Sequence, residues 1–241
     1  MRSARPGGSQ AEGNTTYRTE IGPIRIVPDF FQSLLVVAPH PDDEVIGAGG
    51  LIHAMRQLGR HVRVVVASDG AASHPGSRLF RPAALAALRR TESITALASL
   101  GVARDDIHFC DFPDGQSVRW ASDPHGVARM ASAVHGRFDL VCLPSEHDDH
   151  PDHRMTRDLA RRFMTGGGLN LSYCVWPTAC SRADTRTVAE HALSPESHAA
   201  KRTALRSYRS QLGAITDDPD GFTIDADTFD RFTAPVERFT L

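Results

Sequence analysis

Two short stretches of this chain concentrate side chains that can hold a metal and move protons. The first is Pro39-His40-Pro41-Asp42-Asp43-Glu44, and the second is Pro144-Ser145-Glu146-His147-Asp148-Asp149-His150-Pro151-Asp152-His153. Where thiolates are absent, a catalytic zinc takes imidazole nitrogen and carboxylate oxygen from three protein ligands and keeps a position open for water. Two histidines and one carboxylate from these stretches meet that demand. The groups left over can supply the rest of a hydrolysis: a base for the attacking water, and a positive or hydrogen-bonding group for the oxyanion. Aspartates ahead of a helix are also ordinary N-caps. Each stretch alone is therefore ambiguous between capping and chemistry, and the two together favour chemistry.

Each stretch directly follows a run that reads as a buried strand. Residues 34–38 are continuous, apolar and rich in Val, as expected for a strand covered on both faces, and residues 139–143 read the same way. Further strands are predicted over 62–67, 107–112 and 171–176, and helices over 43–58, 82 to about 101, 124–135, 151–164 and 195–208. Strands alternating with crossovers of helical length predict an α/β fold: a Rossmann-like, mostly parallel sheet with helices on both faces, in a single domain over residues 19–241. In such sheets ligands bind beyond the carboxyl ends of the strands. Both stretches then sit at one rim of the sheet, where segments far apart in sequence can meet. Pro41 and Pro151 fix the backbone where each stretch enters its helix. The last thirty or so residues open with the turn cluster Asp217-Asp218-Pro219-Asp220-Gly221, and the pattern assigns no elements there.

The composition narrows the function classes. With 41% hydrophobic and 23% charged residues the chain reads as soluble and globular. A net charge of −2 gives no basic field for a nucleic-acid partner. No apolar run approaches membrane-spanning length, and no apolar segment near the N-terminus reads as a signal peptide. Residues 1–18 are polar and rich in Gly and Ser, and read as a disordered tail. Cys110, Cys142, Cys174 and Cys180 form no C-x-x-C pair. They read as buried free thiols, which fits a reducing, cytoplasmic location. Lys201 is the only lysine. A nucleotide-binding module built on Gly47, Gly49 and Gly50 is disfavoured: these glycines lie within the first helix, and the acidic turn before it repels pyrophosphate. Nothing in the sequence indicates an oligomeric state.

At these residues the chain resembles the PIG-L/LmbE-like de-N-acetylase family. The resemblance rests on Ala38-Pro39-His40-Pro41-Asp42-Asp43-Glu44 and Asp148-Asp149-His150-Pro151-Asp152-His153. It is supported by Arg89-Arg90-Thr91-Glu92, Pro113-Asp114-Gly115 and the segment from Lys201 to Ser210-Gln211. It implies a zinc-dependent hydrolase, with Fe2+ as an alternative metal, acting on a small-molecule acetylated amino sugar or glycoside and releasing acetate and a free amine. It also implies the site. His40, Asp43 and His153 are the metal ligands, Asp42 is the general base, and His150 supports the oxyanion as an imidazolium oriented by Asp152. Arg89 and Asp114 are the substrate contacts. Pro39 stands where the family more often has alanine before the histidine, and Asp148 where some members have a tyrosine. The alternatives are an amidase acting on another polar amide, such as a thiol conjugate, and a non-catalytic sugar-binding protein on the same fold.

Overall fold

In the computed structural model, residues 22–176 and 188–241 are described; the tail expected over residues 1–18 lies outside them, as does Cys180. Eight strands form one sheet: β1 (Ile24–Arg25), β2 (Ser33–Ala38), β3 (His61–Ser68), β4 (Ile107–Phe112), β5 (Leu140–Pro144), β6 (Leu169–Tyr173), β7 (Val188–Ala192) and β8 (Val236–Thr240). Their order is β1-β7-β8-β6-β5-β2-β3-β4. The helices among the described residues are α1 (Asp43–Gln57), α2 (Pro82–Ser99), α3 (Ser117–Trp120), α4 (Pro124–Val134), α5 (Pro151–Phe163), α6 (Pro195–Leu205) and α7 (Ala226–Phe232). None is long and apolar enough to cross a membrane.

The two-residue period of β2 distributes the core. Leu34, Val36 and Ala38 join one apolar cluster with α1, α2 and α6, whereas Leu35 and Val37 join the other with α4 and α5. Both faces are therefore covered, which is why β2 reads as an unbroken apolar run. β2 pairs in parallel with β3 on one side and β5 on the other, with Val36 opposite Val64 and Cys142. The chain leaves β2 toward β3 and β4, then returns to lay β5 and β6 on the opposite side. The loops that follow β2 and β5 thus diverge at a topological switch point, where a crevice opens. Both chemical stretches lie there.

The mostly parallel α/β sheet agrees with the sequence-based expectation. The departures lie where local pattern is weak. β6 begins at Leu169, because Leu169 pairs with Leu140, and residues 174–176 leave the strand instead of ending it. The unassigned C-terminal region supplies α7 and β8, with β8 inserted antiparallel between β6 and β7. Cys110 and Cys142 are free and buried. Cys174 is disulfide-bonded, which corrects the expectation of a free thiol there.

Helix α1 is broken at Ala48, whose φ of −146° and ψ of 18° are not helical. The segment Gly47-Ala48-Gly49-Gly50 resists a break poorly, since glycine has low helix propensity. Close packing requires two of these glycines. A Cβ on Gly47 would lie 2.5 Å from the Tyr173 ring, and one on Gly50 2.4 Å from Leu193. Buried side chains from elsewhere satisfy the freed backbone groups. Lys201 Nζ donates to the Ile46 carbonyl at 2.9 Å, while Glu237 accepts from the Gly50 and Leu51 amides at 2.7 and 2.9 Å. The two side chains also pair with each other at 2.7 Å.

Candidate metal centre and its cleft

The loop from β2 into α1 delivers His40, Asp42 and Asp43, and the loop from β5 into α5 delivers Asp148, His150, Asp152 and His153. His40 Nδ1 lies 3.0 Å from Asp43 Oδ2, and His153 Nε2 lies 3.4 Å from that same oxygen. Ligand atoms of His40, Asp43 and His153 all fall within 4.8 Å of one another, so two imidazoles and a carboxylate converge on a common point. A second such group joins His40, His150 and Asp152. A nitrogen–nitrogen–oxygen set on one side of an open cleft suits zinc or another borderline divalent ion.

Buried carboxylates hold the outer nitrogens of both histidines. His40 Nε2 faces Asp114 Oδ1 at 3.1 Å and Asp152 Oδ2 at 3.5 Å. His153 Nδ1 faces Asp148 Oδ2 at 3.0 Å. Such partners fix the ring orientation and tautomer of a ligand histidine. Burial opposes charge on all these groups, yet each carboxylate is held in its charged form by the imidazoles around it. Asp43 is drawn down to about 2, because His153 and His40 outweigh the burial. Asp114, Asp148 and Asp152 are lowered against burial in the same way, chiefly by His40, His153 and His40 respectively. His40 in turn is raised well above the ordinary histidine value: burial pulls it down, and the hydrogen bonds to Asp114, Asp152 and Asp43 prevail.

Asp42 occupies the N-cap position of α1 but makes no capping hydrogen bond through its side chain. Its φ of 126° is one that L-residues rarely adopt, a strain of about 1–3 kcal/mol that its surroundings must hold in place. Its own amide donates to Glu44 Oε2 at 3.0 Å. Glu44 is fully buried and also accepts from Ser93 Oγ at 2.6 Å and from the Tyr208 hydroxyl. The Asp42 carboxylate accepts from Arg89 Nη2 at 3.1 Å. The same guanidinium donates to the carbonyls of Pro41 at 2.6 Å and Gly70 at 3.0 Å. Burial pushes the Asp42 carboxyl well above its ordinary value, against the pull of Arg89.

His150 is the N-cap of α5, and its Nδ1 accepts from the Asp152 amide at 3.2 Å. Burial, His40 and His153 all lower its pKa. An Nδ1 that accepts carries no proton, so the ring proton sits on Nε2 and the imidazole is neutral. The Asp152 carboxylate is directed at His40 and the Gly115 amide, the latter at 2.8 Å.

All eight residues singled out from sequence fall at this rim. Arg89 and Asp114 line the cleft, but each is engaged by a protein partner, Asp42 and His40 respectively. His147 is exposed, with Nε2 3.5 Å from Glu146 Oε1. The sequence pattern gives Asp148 no role as a partner of His153. Only its burial, against the exposure of neighbouring Asp149, separates the two aspartates, and that contrast has no local signature. The cleft has a volume of about 490 Å³, and its outer wall carries Trp176, Gln211, Asp220, Phe222 and Phe232, none of them among the site residues expected from sequence. Trp176 reaches it because Asp148 Oδ2 accepts from the Val175 and Trp176 amides at 3.2 and 3.4 Å, drawing the chain off the end of β6.

Several solved structures share this fold. N,N'-diacetylchitobiose deacetylase from Pyrococcus horikoshii is 23% identical with a TM-score of 0.57, over 76% of this chain and 72% of that one. A deacetylase from the teicoplanin biosynthesis pathway is 20% identical with a TM-score of 0.61, over 86% and 97%. The 4-carboxy-2-hydroxymuconate hydratase from Pseudomonas putida is 21% identical with a TM-score of 0.64, over 84% and 83%. At such identities the likeness is one of fold, and one fold hosts different reactions. No curated protein matches the chain. The family model for PIG-L, described as GlcNAc-PI de-N-acetylase, matches residues 35–164, more than half of the chain and the span that holds both chemical stretches, and the chain therefore belongs to the PIG-L family.

Proposed function

We propose that this protein is a zinc-dependent hydrolase that removes the acetyl group from an N-acetylated amino sugar or a related polar amide, releasing acetate and a free amine. The observation that carries this reading is the convergence of His40, Asp43 and His153, with Asp42 and His150 beside them in one cleft. Zinc, which Fe2+ could replace, would be held by His40, Asp43 and His153. When bound, the metal supplies Lewis acidity toward the acetyl carbonyl and makes a water molecule more acidic.

The remaining steps belong to the chain's own groups. Asp42, with its raised pKa, takes a proton from the attacking water and returns it to the departing amine nitrogen. Arg89 holds that carboxylate in place, a positioning role, and it also lines the cleft where the substrate contact expected from sequence would fall. In place of the imidazolium expected from sequence, His150 donates from Nε2–H to the oxyanion as a neutral imidazole, because its Nδ1 accepts from the Asp152 amide. Asp114 and Asp152 orient His40, and Asp148 orients His153.

Incubating the zinc-loaded protein with N-acetylated sugars and glycosides should release acetate. Chelation should stop the release and added zinc should restore it; if the metal-loaded protein frees no acetate from any of these compounds, the reading fails. The hydratase among the fold neighbours gives a second reading, addition of water to a carbon–carbon double bond with the same base. The name of its substrate carries carboxylate. Among the described residues lining this cleft, the only arginine or lysine is Arg89, already engaged by Asp42, which favours the deacetylase.

Two expected results concern the metal. Coordination requires a neutral imidazole, and metal-free His40 holds its proton above the ordinary histidine range. Zinc uptake should therefore release a proton, and zinc affinity should rise by about tenfold per pH unit up to the raised pKa of His40, then level off. The sign follows from the direction of the shift: the proton stabilises the metal-free site at low pH, and that advantage is lost as pH rises through the folded pKa. Chelator competition across the neutral range measures it, and a flat profile would count against His40 as a ligand. Asp148→Asn should weaken zinc binding by roughly 10- to 100-fold, the usual cost of losing an outer carboxylate on a ligand histidine. An unchanged zinc affinity in the folded variant would remove Asp148 from that role.

A further inference from the structure

The turn cluster Asp217-Asp218-Pro219-Asp220-Gly221 grips the loop that joins β3 to α2. Asp217 Oδ2 accepts from the amides of Arg78 at 2.7 Å and Leu79 at 2.9 Å, and Asp217 Oδ1 accepts from Ser77 Oγ at 2.8 Å. Asp218 is buried, and its Oδ2 accepts from the Gly76 amide at 2.7 Å. The approach is close: a Cβ on Gly76 would lie 2.7 Å from Asp218 Oδ1. Beside these bonds the Phe222 amide donates to the Ser73 carbonyl at 2.8 Å, and a Cβ on Gly221 would lie 2.2 Å from the His74 ring. A loop lacks the ladder that pairs backbone amides in a strand or helix, and here two carboxylates take that place. Bonds from amides to a charged acceptor are roughly twice as strong as neutral ones.

The other end of the same loop is tied to the metal centre. The Gly70 carbonyl accepts from Arg89 Nη1 at 3.0 Å, and the same guanidinium holds Asp42. The Ala72 amide donates to Asp114 Oδ2 at 2.9 Å, while Asp114 Oδ1 faces His40 Nε2 at 3.1 Å. Asp69 Oδ1 accepts from the Ala71 amide at 3.0 Å and from the Asp114 amide at 3.2 Å, which keeps these two segments side by side. Between the two anchored ends, Ala72, Ser73 and Pro75 line the cleft. One carboxylate, Asp114, therefore joins the position of a cleft wall to the ring orientation of a ligand histidine.

We propose that Asp217 and Asp218 form a latch: they are positioning residues that hold the β3–α2 loop as a wall of the cleft and, through Ala72 and Asp114, keep His40 aligned for the metal. The proposal rests on the metal centre of the de-N-acetylase reading. With the latch open, the Ala72 amide leaves Asp114, and Asp114 is free to turn from His40. His40 Nε2 then keeps Asp152 Oδ2, at 3.5 Å, as its outer partner. The loss of zinc affinity should therefore fall at the low end of what removing an outer carboxylate costs. Asp42 keeps Arg89, so substrate binding should suffer more than turnover.

The test compares two double variants of the full-length protein. Asp217→Ala with Asp218→Ala removes the acceptors. Asp217→Asn with Asp218→Asn removes the same two charges and keeps an acceptor oxygen at each position. Three quantities are read: zinc affinity by chelator competition, hydrogen exchange at the Ala72 amide, and the kinetics of acetate release. The alanine pair should bind zinc about tenfold more weakly and exchange the Ala72 amide about tenfold faster or more. It should raise KM about tenfold, with kcat within about threefold of the parent. The asparagine pair should stay within about threefold of the parent in all three. If the alanine pair does not fold, Gly76→Ala replaces it: the new Cβ presses on Asp218 Oδ1 and opens the same contact with both carboxylates in place, and the same changes should follow in smaller measure. Parent-like zinc affinity and Ala72 exchange in the opened variant would overturn the latch. So would an asparagine pair as impaired as the alanine pair, which would assign the effect to charge alone. An unaltered protein that binds no zinc or releases no acetate would instead defeat the de-N-acetylase reading, and Ala72 exchange would then decide the latch by itself.

Discussion

Asp42→Asn is expected to slow acetate release by about 10²- to 10⁴-fold while the protein still takes up zinc, the loss typical of removing a positioned general base. Asparagine is the informative replacement for three reasons. Its amide oxygen can still accept from Arg89 Nη2, which lies 3.1 Å from Asp42 Oδ2, so the buried guanidinium keeps its partner. It is among the few residues enriched at positive φ, and the backbone at this position has a φ of 126°. What it cannot do is hold a proton between water and the leaving nitrogen. The fall should therefore appear in kcat, with KM little changed. Asp42→Ala would confuse the result, because it strips the carboxylate from a buried arginine and costs stability as well. A zinc-loaded Asp42→Asn protein working within tenfold of the parent would mean that another group carries the proton.

Glu237→Ala should destabilise the protein by about 3–5 kcal/mol, a large part of the 5–15 kcal/mol that holds a typical domain together. Glu237 performs two tasks at once. It pairs with the buried Lys201, and it accepts from the Gly50 and Leu51 amides that the break at Ala48 leaves without helical partners. The double variant Lys201→Met with Glu237→Leu separates the two. If the ion pair were the whole effect, apolar replacement of both partners would be near neutral, since such pairs gain little over good packing. The two amides would stay buried without acceptors, at about 1–3 kcal/mol each. The double variant should therefore recover only part of the loss. Urea unfolding gives both values. A Glu237→Ala protein within about 1 kcal/mol of the parent, or a double variant as stable as the parent, would show that the amides find other partners. Because α1 begins at the metal centre, the single variant should also lower zinc affinity.

Much of the site was legible because its signals are local. An apolar run rich in Val that ends in His-Pro-Asp-Asp, and another that ends in an acidic stretch closing on His-Pro-Asp-His, reveal strand ends and donor atoms without any knowledge of the rest of the chain. The strand and helix alternation behind them comes from side-chain periods of 2 and 3.6 residues, which neighbours alone determine. That was enough to predict a parallel sheet and to bring positions 40, 43 and 153 to one rim.

The partners of those groups were a matter for the tertiary structure. The same aspartate type serves as a strained, Arg-paired carboxylate at Asp42, as a support for His40 at Asp114 and as a support for His153 at Asp148, while the adjacent Asp149 is merely exposed. The C-terminal region was unreadable because β8 draws its meaning from elsewhere: its register against β7, and Glu237 reaching a helix break 186 and 187 residues away. The aromatic wall exists because Asp148 pulls Val175 and Trp176 out of line with β6. Periodicity along the chain reports which face a residue occupies. Which groups then meet depends on hydrogen bonds and close packing between segments whose separation in sequence carries no trace of their separation in space.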